Sequence, residues 1–300
     1  MKKFAVIKRT VLTFGLATIM LVTSIVSGGT VTANAASTSV KIDAKHFPDK
    51  KFREYVKKFD KNKNGSLSKT ERTKVKEIYV MFSNIKSLKG VEYFTNLTEL
   101  GCFNNQLSTL DVSKNTKLTY LACSDNPLST LDVSKNTKLT ELYCSDNSLS
   151  ALDVSKNTKL TVLHCYNNQL STLDVSKNTK LTQLHCDSNQ LSSLDISKNT
   201  KLTGLECYNN QLNTLDISKN TKLMYLKCDN NQLNTLDVSK NTKLTYLTCD
   251  NNQLSALDVS SCSGLCELSC IGNQLSTLNV SNCRNLETLT CDENVKVIGH

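Results

Sequence analysis

Leu118-Thr-Tyr-Leu121-Ala-Cys123-Ser-Asp-Asn126-Pro-Leu128-Ser-Thr-Leu131-Asp132-Val133-Ser134-Lys135-Asn136-Thr137-Lys138 is one turn of a phrase that begins again at Leu139. Its first residue recurs at Leu97, Leu118, Leu139, Leu160, Leu181, Leu202, Leu223, Leu244, Leu265 and Leu286, always 21 residues apart. A looser 22-residue copy opens the series at Val75. A fixed period over so many copies predicts a solenoid, in which no repeat can bury its apolar side chains alone. In L-x-x-L-x-C the second Leu and the Cys alternate with other residues, which is strand spacing, and a constant period stacks such strands in parallel. The Asn column from Asn105 to Asn294 falls where the chain must turn, so its amides are expected to satisfy turn backbone groups. The return half-phrase is short and poor in helix formers, which predicts extended or turn structure there.

This pattern resembles the leucine-rich repeat, in particular the 21-residue bacterial class with two nested half-phrases (IRREKO-type), and its opening copy resembles the internalin repeat. The resemblance implies a β-rich leucine-rich-repeat solenoid with parallel strands on its concave face. Such solenoids host many binding functions, so the fold names no ligand.

Outside the repeats, residues 1–35 read as a signal peptide: Lys2, Lys3, Lys8 and Arg9, an apolar run from Val11 to Val26, then Ala33-Asn34-Ala35. Cleavage before Ala36 implies a secreted, extracellular protein with no lasting membrane insertion. It lowers the net charge from +9 to +5, a mild and evenly spread excess that argues against a nucleic-acid partner. The expected organisation is a leader (1–35), a cap (36–74), the solenoid (75–294) and a short tail (295–300). Lys296 stands where the repeat wants Leu, which predicts an open apolar end available for self-association.

The cap contains Asp60-Lys-Asn62-Lys-Asn64-Gly65-Ser66-Leu67-Ser68-Lys-Thr-Glu71, which matches the calcium-loop pattern D-x-[DN]-x-[DN]-G-x5-E. Asp60, Asn62, Asn64, Ser66 (by its carbonyl), Ser68 (through a water) and Glu71 are the expected ligands of one Ca2+ ion. Two carboxylates among three lysines predict weak binding, of order ~10⁻⁴–10⁻³ M. Internalins resemble this arrangement, with a small helical EF-hand-like N-terminal cap before the repeats.

Ten of the 13 cysteines form a column from Cys102 to Cys291 at the sixth repeat position. Parallel stacking opposes the converging geometry of a disulfide, so these are expected to be buried free thiols acting as small apolar groups. Cys262 and Cys283 replace the return-half Asn and are either substitutes for it or a cross-link between the last coils. Cys266 stands alone.

Three columns vary freely: the third, fifth and seventh positions, which share one sheet face. They bring together Phe103, Tyr120, Tyr143, His164, Tyr166, His185, Asp187, Glu206, Tyr208, Tyr225 and Tyr246. Aromatic rings interleaved with carboxylates suit a protein or glycan partner. His164 and His185 beside Asp187 and Glu206 are read as a coincidence of stacking rather than a metal site. The column Asp111 to Asp258 is expected to lean on lysines or backbone donors. No nucleophile elbow, zinc-protease motif or phosphate loop is present in the sequence, and the chain ends in the eleventh coil without room for a catalytic domain. The expectation is a non-catalytic binding protein; the alternatives are a structural, self-associating surface protein or an enzyme-associated repeat module.

Overall fold

The computed structural model describes residues 39–299; the leader lies outside them. From Val75 onward the chain winds as a solenoid whose strands make an 11-stranded, all-parallel sheet. Its strands are β3 (Glu77–Tyr79), β4 (Glu99–Gly101), β5 (Tyr120–Ala122), β6 (Glu141–Tyr143), β7 (Val162–His164), β8 (Gln183–His185), β9 (Gly204–Glu206), β10 (Tyr225–Lys227), β11 (Tyr246–Thr248), β12 (Glu267–Ser269) and β14 (Thr288–Thr290). Register keeps the second Leu in one column, as in Leu121↔Leu142↔Leu163. The Leu, Val and Cys columns are buried from coil to coil. Their return halves are turns rather than helices, apart from one 3-10 turn at Val91–Tyr93 in the first coil.

Two asparagine ladders close the backbone hydrogen bonding. In the first, Asn126 Nδ2 donates to the carbonyls of Cys102, Cys123 and Ser124 at 3.0–3.1 Å, and its Oδ1 accepts from Leu107 N at 2.9 Å. Asn147 then donates to the Cys123 carbonyl as well, so each Cys carbonyl accepts from two successive coils. This ladder runs from Asn105 to Asn273; Asn294 is exposed. In the second, Asn136 Nδ2 donates to Val112 O and Asn115 O, both at 3.0 Å. Its Oδ1 is buried without a partner, and the same holds from Asn115 to Asn241.

Cys262 and Cys283 stand in the second ladder as Asn substitutes. Cys262 Sγ reaches Val238 O and Asn241 O at 3.8 and 3.7 Å, the carbonyls an Asn amide would take. All thirteen cysteines are free thiols. The Asp column forms turns on itself: Asp132 Oδ1 accepts from Ser134 N at 2.8 Å. Those bonds from Ser134, more than the lysine beside it, hold the Asp132 carboxyl below its usual range.

The cap is helix–loop–helix. α1 (Lys50–Val56) starts at Asp49, whose side chain accepts from Lys51 N and Phe52 N, and it buries Phe52 and Val56. α2 (Lys69–Lys74) starts at a Ser68–Glu71 capping box. Phe47, Phe52 and Phe94 are fully buried between cap and first coils. At the other end the final coil departs from its expected form. Lys296 is exposed, and Val295 is buried in its stead. Residues Lys296–Ile298 are a strand, β15, that pairs with β13 (Thr277–Asn279), Leu278 facing Val297 nineteen residues on. The last coil is therefore shortened, and its final residues are part of the fold rather than a free tail. Leu286, Leu289 and Val297 are only partly buried.

Candidate functional site

The concave sheet face carries the sequence-predicted aromatic columns. Tyr120 and Tyr143 lie with ring centroids 5.5 Å apart, Tyr143 meets His164 edge-on at 4.9 Å, and His164 stacks on His185 at 4.0 Å with rings 7° from parallel. Farther along, Tyr225 stacks on Tyr246 at 4.4 Å. Phe103 pairs instead with Phe82, at 5.1 Å. Hydroxyls and carboxylates alternate between the rings: Tyr143 donates to Glu141 at 2.9 Å, and Tyr79 to Glu99. Burial and these acids push the Tyr79 and Tyr143 phenols up.

The two histidines face each other ring to ring, so their nitrogens do not converge. Burial first lowers both, to about 4 each, which leaves them neutral at pH 7. His185 Nε2 lies 3.9 Å from Glu206. Among the described residues no group of three or more His, Cys, Asp or Glu side chains gathers to hold a metal ion.

Asp187 differs from its expected place on the open face. It is 2% exposed, with Ser188 Oγ donating to its Oδ2 at 3.4 Å and Oδ1 buried without a partner. Burial raises this carboxyl to about 6. The repeat position gave no sign of this burial, since the same column holds partly exposed residues in other coils, such as Tyr166 and Tyr208.

The first coil adds a seventh tyrosine, Tyr79, and an exposed Phe82. Phe82 is 70% exposed and has φ +52°. Every other coil from Asn104 to Gly272 puts Asn, Asp, Ser or Gly at this left-handed position, where a bulky side chain is strained. The 22-residue length of the first repeat hid the correspondence.

Charge is also distributed differently from the even spread expected. The outward columns hold nine carboxylates, from Glu77 to Asp292, against one lysine, Lys227. The paired lysines of each return half, Lys114 to Lys243, are exposed on the other side. Net positive charge thus coexists with an acidic concave face.

In the cap loop, Asp60 Oδ2 accepts from Gly65 N at 2.8 Å and Asn64 Oδ1 from Ser66 N at 2.9 Å. Glu71 Oε1 accepts from Lys61 N at 2.8 Å and Oε2 from Ser68 N at 2.8 Å. The Ser68 bonds hold the Glu71 carboxyl below its usual range. Asn62 Oδ1 accepts from Asn64 N at 3.2 Å. Gly65 takes φ +79°, the sharp turn this loop demands. Leu67, the loop's eighth residue, is buried and pairs antiparallel with β1 (Val40–Lys41) through β2 (Ser66–Leu67). The donor set (two carboxylates, two amides and serine oxygens) fits a hard divalent ion.

Residues 137–178 match the family model for leucine-rich repeats (two copies). The functional domain of InlJ from Listeria monocytogenes, which includes a cysteine ladder, is similar at 35% identity and TM-score 0.73, over 85% of this chain and 62% of that one. The chain thus spans under two thirds of that domain. The Listeria monocytogenes internalin InlF is 22% identical over 88% of this chain and 94% of its own, TM-score 0.57. The FLRT2 repeats, from a complex with latrophilin 3 and Unc5D, give 24% identity over 67% of this chain and 68% of that one, TM-score 0.57. No curated protein matches the chain in sequence. The repeats of this protein are leucine-rich repeats, and the solenoid they build is internalin-like.

Proposed function

We propose that this is a secreted, non-catalytic binding protein that recognises a protein or glycan partner through its concave face, with one weak calcium site in the cap. The observation that carries the reading is the division between columns. Those facing inward are nearly invariant and buried, while the third, fifth and seventh positions vary and expose seven tyrosines to solvent or half-bury them. Rigid, partly exposed tyrosines give contact area at small entropic cost. FLRT2 repeats are found in a complex with other proteins, which supports a protein as the partner. No helix among the described residues is long and apolar enough to cross a membrane.

The test is partner capture from the native milieu with immobilised protein, comparing parent with Tyr143→Ala/Tyr166→Ala/Tyr208→Ala. Loss of the captured species supports the concave face; undiminished capture removes it. For the cap, Asp60, Asn62, Asn64, Ser66, Ser68 and Glu71 would hold the ion, which would tie the loop to α2. Calorimetry with millimolar calcium should show heat in the parent and none in Glu71→Gln. No heat in the parent, together with no thermal shift, ends the calcium reading.

A further inference from the structure

The concave-face reading leaves the chemistry of the partner open. Three features narrow it. The face opposes nine carboxylates to a single lysine on a chain of net charge +9, so its field selects for cations and repels anions. That one lysine already lies against aromatic rings: Lys227 Nζ is 5.2 Å from the Tyr225 ring centre and 5.7 Å from that of Tyr246. The chain's own ammonium shows what the tyrosine pairs accept. Third, Asp187 is almost fully buried on this face with Oδ1 lacking any partner. A buried carboxylate oxygen without a donor is costly, and the missing group is one that donates hydrogen bonds and carries positive charge.

We infer that the concave face takes a cationic segment of a partner protein, one arginine of which seats its guanidinium on Asp187 and Glu206 between Tyr166 and Tyr208. This rests on the binding-face reading above and adds the class of partner. Tyr166, Asp187 and Tyr208 follow one another in the seventh column, and Glu206 lies one strand over from His185 in the fifth. Tyr208, the next residue of that column, raises no barrier beyond its own side chain: a rotation of the ring opens the carboxylate to the incoming group, the scale of change common at interfaces. A planar guanidinium suits the place better than an ammonium. It donates to Asp187 and Glu206 at once and stacks on the flanking rings. Neutral His164 and His185 alongside add no competing positive charge at pH 7.

The probe is a fluorescent octapeptide alternating arginine and glycine, with lysine and glutamate counterparts, read by anisotropy on the whole protein. The arginine peptide should bind most tightly, the lysine peptide more weakly and the glutamate peptide not at all. Raising salt from ~0.05 to ~0.5 M should weaken the arginine peptide about tenfold or more, as screening shortens the reach of the field. Asp187→Asn/Glu206→Gln should cost at least tenfold. Tyr208→Phe should bind as the parent does, because the ring that flanks the guanidinium is kept. Lys135→Ser/Lys156→Ser, on the return face, should bind as the parent does. Circular dichroism checks that each variant is folded, and Glu206→Gln alone carries the test where the double variant is not. Equal binding of arginine and glutamate peptides, or parent-like binding by a folded Glu206→Gln or double variant, overturns the inference. If the tyrosine triple variant loses the native partner while the arginine peptide neither binds nor competes for it, the face stands and the cationic class falls.

Discussion

Asn168→Ala should destabilise the protein far more than Asn157→Ala, although both remove a buried asparagine from the same part of the solenoid. Asn168 Nδ2 donates to Cys144 O, Cys165 O and Tyr166 O at 3.1–3.2 Å, and its Oδ1 is the acceptor for Leu149 N at 3.0 Å. Truncation leaves the buried Leu149 N–H with no partner, which costs ~1–3 kcal/mol. The two cysteine carbonyls keep a second donor, from Asn147 and Asn189, so each lost bond there is worth only the ordinary ~0.5–1.5 kcal/mol. With the Tyr166 carbonyl the total comes to about 2.5–7.5 kcal/mol, centred near 5.

Asn157 makes two bonds, to Val133 O and Asn136 O at 3.0 Å. Both carbonyls keep a backbone donor, Asn136 N and Leu139 N, and Asn157 Oδ1 was already an orphan. Its removal orphans no donor and should cost about 1–2 kcal/mol. At ~2–4 °C per kcal/mol for a chain of this size, the thermal midpoints should fall by about 5–30 °C, centred near 15 °C, and by about 2–8 °C respectively. Scanning calorimetry gives the shifts, and hydrogen exchange should show protection lost mainly in the coils next to the substitution, since repeats couple to their neighbours. Equal shifts for the two variants would refute the idea that bonds per ladder rung, rather than burial alone, set the cost.

Three further outcomes follow from the same geometry. Asp187→Asn should stabilise the protein at pH 7.5: burial raises the folded carboxyl from 3.8 to about 6, so the folded state holds the extra proton between those values and loses stability as pH rises through them, on the order of 2–3 kcal/mol at most. His164 and His185, lowered from 6.5 to about 4, act in the opposite sense, losing stability as pH falls from 6.5, so urea titrations of the Asn variant should show a steeper decline on acidification than the parent. Brief alkylation of the native protein should modify Cys266 and Cys291, the two half-buried thiols, before the eleven buried ones, and mass spectrometry after unfolding should find all of them reactive. Phe82→Asn should raise stability by about 1 kcal/mol through relief of a left-handed backbone at φ +52°, despite losing the Phe103 contact, as a thermal melt would report.

The coils were legible because the period and the buried columns are the same fact: a residue that must meet its own copy 21 positions on cannot drift. Asn126 and its column showed themselves for that reason, as did the Asp132 turns. What stayed hidden depends on how side chains pack or on sums taken over the wrong set. Net charge is a total and conceals that the outward columns hold nine carboxylates against one lysine, while the return halves from Asp111 to Lys243 set two lysines against each aspartate. Asp187 reads as exposed from its column and is buried in the fold, which position in the repeat alone does not reveal. The last coil defeated the pattern because it is shortened, so the apolar duty passes from position 296 to Val295.

Where the chain breaks its own rules is itself informative. The orphaned Oδ1 atoms of the return ladder recur in every coil from Asn115 to Asn241, so they are a cost built into the scaffold, and the chain drops it where Cys262 and Cys283 take over. The irregular costs are different: a strained, exposed Phe82, a buried carboxyl oxygen on Asp187 and a buried, unpartnered Nε2 on His164. All three belong to the concave side or its rim, and none is needed to stack coils, since neighbouring coils do without them. A scaffold whose backbone is satisfied from within can tolerate such local departures, and departures of this kind collect where a surface serves something other than stability. That supports the proposed concave binding face by an argument that does not use the exposure of its tyrosines.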